Sequence, residues 1–210
     1  MSKYRTTFIA ATLVCLLPMI LSAVLYPELP GQIAIHWDAA GNPDGYASKA
    51  VAAYLLPASL AVLNIIVHIV LHNDPKKMNA APVMRTMGLW FIPVLSLIIT
   101  PVTLFKAMGA DLPIEIIAPA LVGMILVVVG NYLPKSRQNY TIGIKLPWTL
   151  HSPDNWNKTH RFAGYLWMAG GVLMIIMSFL EVHAVYVILP VILLLALAPT
   201  VYSFLLYKRA

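Results

Sequence analysis

The sequence predicts an all-α membrane protein: a polytopic helical bundle with about six transmembrane helices and both termini in the cytoplasm. Three observations carry this expectation. Six apolar stretches are long enough to cross a bilayer, almost no charge lies inside them, and Lys and Arg are distributed one-sidedly along the chain. Hydrophobic residues make up 60% of the 210, charged residues 10%, and mean hydropathy is +0.80. That composition excludes an ordinary soluble domain.

A span needs about 20 mostly apolar residues to cross a hydrocarbon core ~30 Å thick. The stretches Thr7–Tyr26, Val51–Leu71, Met87–Phe105, Ile116–Leu133, Phe162–Leu180 and Val185–Tyr207 qualify, with Lys106 and Glu115 crowding the third and fourth. The first follows Lys3 and Arg5 as in a signal peptide. Its apolar run of about 20 residues exceeds the signal h-region, so a retained helix is expected. Six spans in 210 residues leave no room for a separate soluble domain, so a single membrane domain, 1–210, is expected.

With the N-terminus inside, Lys3, Arg5, Lys76, Lys77, Arg85, Lys135, Arg137, Lys145, Lys158, Arg161, Lys208 and Arg209 are cytoplasmic, twelve of the fourteen Lys and Arg. Only Lys49 and Lys106 fall outside, the asymmetry that orients membrane proteins. Glu28, Asp38, Asp44, Asp111, Glu115 and Glu181 show the opposite bias. The pI near 9.5 then reflects topology, and no direct nucleic-acid partner is expected. The lone Cys15 excludes an intrachain disulfide.

Two connections are long. The external loop 27–50 joins the helices of an N-terminal pair, 1–72. In it Gln32–Trp37 alternates as a short strand would, and Ala40–Gly45 is dense in turn formers. Trp37 and Tyr46 suit the headgroup level as anchors, whereas His36, Trp37, Asp38, Asp44 and Lys49 form a candidate ligand-binding set. The cytoplasmic loop 134–161, within 116–207, is the largest polar, aromatic and basic island in the chain. Its candidate residues, for binding a partner or ordering the loop, are Asn131, Asn139, Gly143, Lys145, Pro147, Trp148, Trp156, His160 and Arg161. Trp and Arg are the types that dominate interface energetics. The same Trp residues suit an interfacial belt, and Lys135, Arg137, Lys158 and Arg161 suit anionic lipid. Asn139, Gly143 and Pro147 suit shaping the loop. The connections 73–86, 106–115 and the bare turn 181–184 are short, which makes neighbouring helices antiparallel.

Pro18, Pro57, Pro93, Pro101, Pro119, Pro190 and Pro199 lie inside spans. Each can kink its helix and frees a carbonyl that needs another partner. Broken helices suit transporters, but no Asp, Glu, Lys or Arg lies deep in a span, so kinked structural helices are the preferred reading. Gly123 and Gly130, seven apart on one face, permit close helix packing, and Asn64 and Asn131 are expected to bond across helices. His68 and His72, at i and i+4, could hold a metal with a third ligand such as His151 or His160. The competing reading puts both imidazoles at headgroup level, bound to water or carbonyls, and no metal or cofactor is predicted. The chain has no Gly-rich phosphate loop, His-Glu-x-x-His or Gly-x-Ser-x-Gly elbow. Asp154, His151 and His160 could be assembled into an acid–base group, but interior carboxylates are too scarce for a convincing one. No catalytic residue is predicted, and the chain is not read as an enzyme.

Two motifs carry a family resemblance. The island, Gly130-Asn131…Asn139-x-x-x-Gly143-Ile-Lys145-x-Pro147-Trp148-Thr149-Leu150…Trp156…Thr159-His160-Arg161-x-x-Gly164, resembles the signature of the SdpI family. The external Leu29-Pro-x-x-Ile33-x-Ile-His36-Trp37-x-x-x-Gly41-x-Pro43-Asp44…Lys49 resembles the small membrane domain of unknown function often found before it. The best-known member is a bacterial immunity protein that protects a cell from its own secreted killing peptide and draws a transcriptional repressor to the membrane when toxin is bound. The resemblance therefore implies a bacterial plasma-membrane protein of immunity and signalling, in contact with lipid, with a peptide toxin outside and a repressor inside. Lys145 stands where the family commonly has Arg, which loses the planar bidentate fork. The alternative is a small transporter or channel-like protein for a small or lipophilic solute.

Overall fold

The computed structural model describes residues 3–38, 40–180 and 184–209. Glu181 and most of the predicted turn 181–184 lie outside the described residues. The chain divides into two compact units, Met1–His72 with Thr86–Pro113, and Asn73–Arg85 with Ile114–Ala210. Six helices are long and apolar enough to cross a membrane: Tyr4–Glu28, Val51–Asn73, Pro82–Ala107, Ile114–Lys135, Pro153–Ser178 and Ile188–Lys208.

In the first unit, the first span is two helices, α1 (Lys3–Leu16) and α2 (Pro18–Leu25), broken where Pro18 lacks its N–H. An antiparallel hairpin follows, β1 (Gln32–Trp37) with β2 (Pro43–Ser48), pairing Gln32 with Ser48 and Ile33 with Ala47. The alternating segment is thus a strand, but the reversal is not the whole Ala40–Gly45 segment. Asp38 to Asn42 make it, and Pro43 begins β2, a position where a strand tolerates proline. Ile33 anchors the hairpin in a core with Leu29, Ala52, Ala53 and Leu104. A π-helical turn, Val51–Leu55, leads into α3 (Leu56–Asn73), next to Pro57, which could not have made an α-helical bond. The last helix of this unit is the part of α4 (Pro82–Ala107) from Thr86 onward.

Polar side chains are buried in this unit while many large apolar ones are exposed. Ser22, Asn64, His68, Ser96, Thr100 and Thr103 are buried, while Leu13, Leu17, Ile20, Val24, Val62, Ile66, Ile69, Val94 and Leu97 are exposed. That inversion is expected where lipid is the solvent, because hydrocarbon gives apolar side chains no reason to hide. The kinks are met by side chains. The Leu89 carbonyl, freed by Pro93, accepts from His68 Nε2 at 3.1 Å, and the Cys15 carbonyl beside the Pro18 break accepts from Ser96 Oγ at 2.7 Å. Asn64 bonds across helices, its Nδ2 donating to Thr12 Oγ1 at 3.1 Å.

The second unit contains α5 (Ile114–Tyr132), the short α6 (Pro147–His151), α7 (Pro153–Ser178) and α8 (Ala184–Lys208). Glycines let α5 and α7 touch backbone to backbone. A Cβ added at Gly123 would lie 2.7 Å from the Gly171 carbonyl oxygen, and one at Gly130 2.7 Å from that of Gly164. Met174, Val191 and Leu195 join α7 to α8, and Trp167 Nε1 donates at 3.0 Å to the Leu195 carbonyl that Pro199 frees. The helix α7 begins nine residues before the predicted Phe162 boundary. Ser152 caps it, accepting from Asn155 N at 3.2 Å, with Pro153 in its first turn. Trp156, His160 and Arg161 therefore stand on a helix rather than in the predicted loop 134–161.

Candidate functional site

The island is a folded polar core stitched from three stretches: the connection 73–81, the segment 136–146, and the helices α6 and α7. Asp74 ties the first two together. Its buried carboxylate accepts from Lys76 N at 2.7 Å, Tyr140 N at 3.0 Å and Thr141 Oγ1 at 2.7 Å. Asn79 continues the seam: its carbonyl accepts from Arg137 N at 2.8 Å, and its Nδ2 donates to the Gln138 carbonyl at 2.8 Å. Gln138 Nε2 then donates to the carbonyls of Thr149 and Leu150 at 3.1 and 2.6 Å.

Asn139 is buried and shapes the turn around it. Oδ1 accepts from Thr141 N and Ile142 N at 3.1 and 2.7 Å, and Nδ2 donates to the Arg137 carbonyl at 2.9 Å. Gly143 has a φ of +124°, and a Cβ there would strike His160 Nε2 and the Trp156 ring. Beneath it the rings of Trp156 and His160 stack with centroids 3.9 Å apart. Trp156 is fully buried and its Nε1 donates to the Ser136 carbonyl at 2.9 Å. His160 Nδ1 donates to the Trp156 carbonyl at 2.7 Å while Nε2 accepts from Ile144 N at 2.9 Å, so the ring is held in its neutral form.

The helix ends are finished in the same way. Pro147 starts α6, and Thr149 Oγ1 accepts from Leu146 N at 2.9 Å. Trp148 Nε1 donates to Ser203 Oγ at 2.8 Å, and Asn155 Nδ2 donates to the Ser203 carbonyl at 2.9 Å, which fastens the island to α8. Of the predicted island residues, Asn139, Trp156 and His160 are buried, Gly143 and Trp148 are half-buried, and Asn131, Lys145, Pro147 and Arg161 are exposed. Lys145 Nζ donates to the Thr141 carbonyl at 3.0 Å, which asks for one cationic donor and not a bidentate fork.

In the hairpin, the five candidates divide by role. Asp38 builds the turn, accepting from Ala40 N at 2.9 Å and Asn42 N at 2.8 Å. Those bonds, the Asn42 backbone N–H foremost, hold its carboxyl below the usual carboxylate range. Lys49 Nζ lies 4.6 Å over the Tyr26 ring. His36 Nδ1 donates to Asp44 Oδ1 at 2.5 Å on the exposed face, beside the exposed Ile35 and Tyr46. Trp37 is half-buried with its Nε1 covered.

The candidate metal and acid–base groups do not assemble. His68 Nε2 is taken by Leu89, His72 stacks on Tyr4 with centroids 3.8 Å apart, and both His160 nitrogens are engaged. Among the described residues no group of three or more His, Cys, Asp or Glu is placed to hold a metal ion. Asp154 pairs with Lys158 at 2.8 Å, and His151 is exposed.

Residues 135–203 match the SdpI/YfhL protein family, a stretch that opens at the island and closes on Ser203, its anchor in α8. Residues 13–61, which hold the hairpin, match a domain of unknown function, DUF1648. The chain is also 28% identical to Immunity protein SdpI of Bacillus subtilis (strain 168) over 207 residues, covering 98% of this chain and 97% of the relative. No solved structure matches. With its six apolar helices, the chain is a multi-pass cell-membrane protein.

Sequence reasoning missed much of the island's polar core: Asp74, Asn79, Ser136, Gln138, Asn155 and Ser203. One signal was available. Asp74 and Asp154 are the two acids on the face dense in Lys and Arg, and an isolated acid there has more to do than set topology. Ser152-Pro153-Asp154 also reads as a helix start.

Proposed function

We propose that this chain is a non-catalytic membrane immunity protein that binds a secreted, membrane-active peptide and prevents it from permeabilising the bilayer. The observation that carries the reading is the end-to-end similarity to Immunity protein SdpI, which leaves no large segment of either chain unmatched. The peptide meets the hairpin side, taken as external from the distribution of Lys and Arg. The exposed His36–Asp44 pair with Ile35 and Tyr46 offers it a charged and apolar surface. Asp38 keeps that surface folded, and Lys49 fixes its base against Tyr26.

The island has the second role, on the cytoplasmic side. Asn139, Gly143, Trp156 and His160 order it. The exposed Lys145, Arg161 and Tyr140 are the face that recruits a repressor protein. Expression in a peptide-sensitive host tests the immunity reading. Survival should rise in the presence of the matching peptide, and His36→Ala combined with Asp44→Ala should reduce protection at an unchanged membrane level of protein. Unchanged killing by every candidate peptide would reject the reading.

A further inference from the structure

Within the second unit, a cleft of about 540 Å³ opens beside the 3₁₀ turn Leu133–Lys135, lined by Lys135, Arg137, Gln138, Asn79, Asn157 and Pro153 among others. No acid lines it. The nearest acid in sequence, Asp154, is occupied by Lys158 at 2.8 Å. The Arg137 guanidinium and the Asn157 amide have no partner among the described residues, although the Arg137 backbone is pinned to Asn79 at 2.8 Å. Lys135 Nζ rests 4.3 Å over the Tyr132 ring, a contact on one side of the ammonium that does not neutralise its charge. The pinned Arg137, the Lys135 ammonium beside it and the Asn157 amide from α7 together offer an oxyanion two cations and an amide donor.

The position of the cleft selects the anion. Lys135 ends the fourth span and Pro153 begins the fifth, so the cleft lies where two apolar helices reach the headgroup layer. An anion there need not arrive from solution, because lipid phosphates occupy that level already. Its volume falls within the usual range for small-ligand sites, roughly 300–1,000 Å³. We infer that this cleft is a specific binding site for the phosphate headgroup of an anionic phospholipid, held by Lys135, Arg137 and Asn157. Basic pockets at the ends of spans bind such headgroups by the same chemistry. The inference does not depend on the toxin reading.

Native mass spectrometry of the full chain from nanodiscs of phosphatidylglycerol and phosphatidylcholine tests it. The wild type should retain phosphatidylglycerol in preference to phosphatidylcholine. Each cation near a headgroup is worth about fivefold in affinity, so Lys135→Ala with Arg137→Ala should lower retention roughly 25-fold. Lys208→Ala with Arg209→Ala removes the same charge from the C-terminal end of the chain and should change retention little. Thermal unfolding in detergent should be alike for both double variants, and Asn157→Leu provides a second, uncharged probe with an intermediate loss. Equal retention by the two double variants, or equal retention of the two lipids, overturns the site. Displacement of the lipid by millimolar inorganic phosphate would identify a general anion site and overturn the lipid assignment.

Discussion

The polar interior of the first unit and the polar island of the second use similar residues and differ in how completely they bond them. In the island, every buried side-chain nitrogen and oxygen among the described residues has a partner within the chain. The four that lack one, Trp37 Nε1, Asn64 Oδ1, His68 Nδ1 and Thr100 Oγ1, all belong to the first unit. Asn139 and Asn64 make the contrast concrete. Both are fully buried, but Asn139 satisfies two amides and a carbonyl, whereas Asn64 makes one bond and leaves its oxygen unused. The island is a finished tertiary structure made of hydrogen bonds. The interior of the first unit is held by small side chains, a hydrophobic core and kink carbonyls, with polar capacity to spare.

Four measurements bear on that contrast. The largest effect is expected at Trp156→Ala, which empties a fully buried indole and orphans the Ser136 carbonyl. Unfolding in detergent should show a loss of about 3–5 kcal/mol. Gly143→Ala, which combines a positive φ with a collision against His160 and Trp156, should cost about 2–4 kcal/mol. If either variant unfolds like the wild type, the island is not the ordered core described above. The paired substitutions Asn139→Leu and Asn64→Leu test the comparison directly. The first should cost about 2–3 kcal/mol, since three backbone groups lose their partner, and the second should stay within about 1 kcal/mol. Equal losses would show that unpartnered polar atoms in the first unit matter as much as bonded ones in the island.

The smallest effect concerns the hairpin turn. Because the Asp38 carboxyl is held below its ordinary value in the folded turn, its contribution is present above the unfolded value of about 3.9 and is lost as pH falls through the lower folded value. The amide resonances of Ala40 and Asn42 should therefore be steady near neutral pH and shift in acid. Asp38→Asn should abolish that titration. A wild-type titration centred at the ordinary carboxylate value would remove the turn's dependence on this charge.

The helices were legible because their cause is local and repeated. Each span is a run of apolar residues, and the helices overlap all six predicted stretches. The Gly123 and Gly130 spacing foretold close packing, although only the fold names Gly171 and Gly164 as their counterparts. The start of α7 is invisible to hydropathy alone, because the cap at Ser152 and Pro153 begins the helix among polar residues. In the island the sequence motif picked out Asn139, Gly143, Trp156 and His160. It was silent about Asp74 and Asn79, which lie some sixty residues earlier and meet the island only in three dimensions.

Composition and the spacing of apolar runs, Lys and Arg determined by themselves that this is a six-span membrane protein with a polar island, because partition into lipid depends on the residues in a stretch and little on their neighbours. The tertiary structure decided which island residues face inward. It closed Trp156 and His160 beneath Gly143, gave Asp74 to the loop opposite, and left Arg137 and Lys135 unpaired by any acid among the described residues. Hydrogen bonds are short and directional, and their partners here come from stretches that no periodicity in the sequence connects.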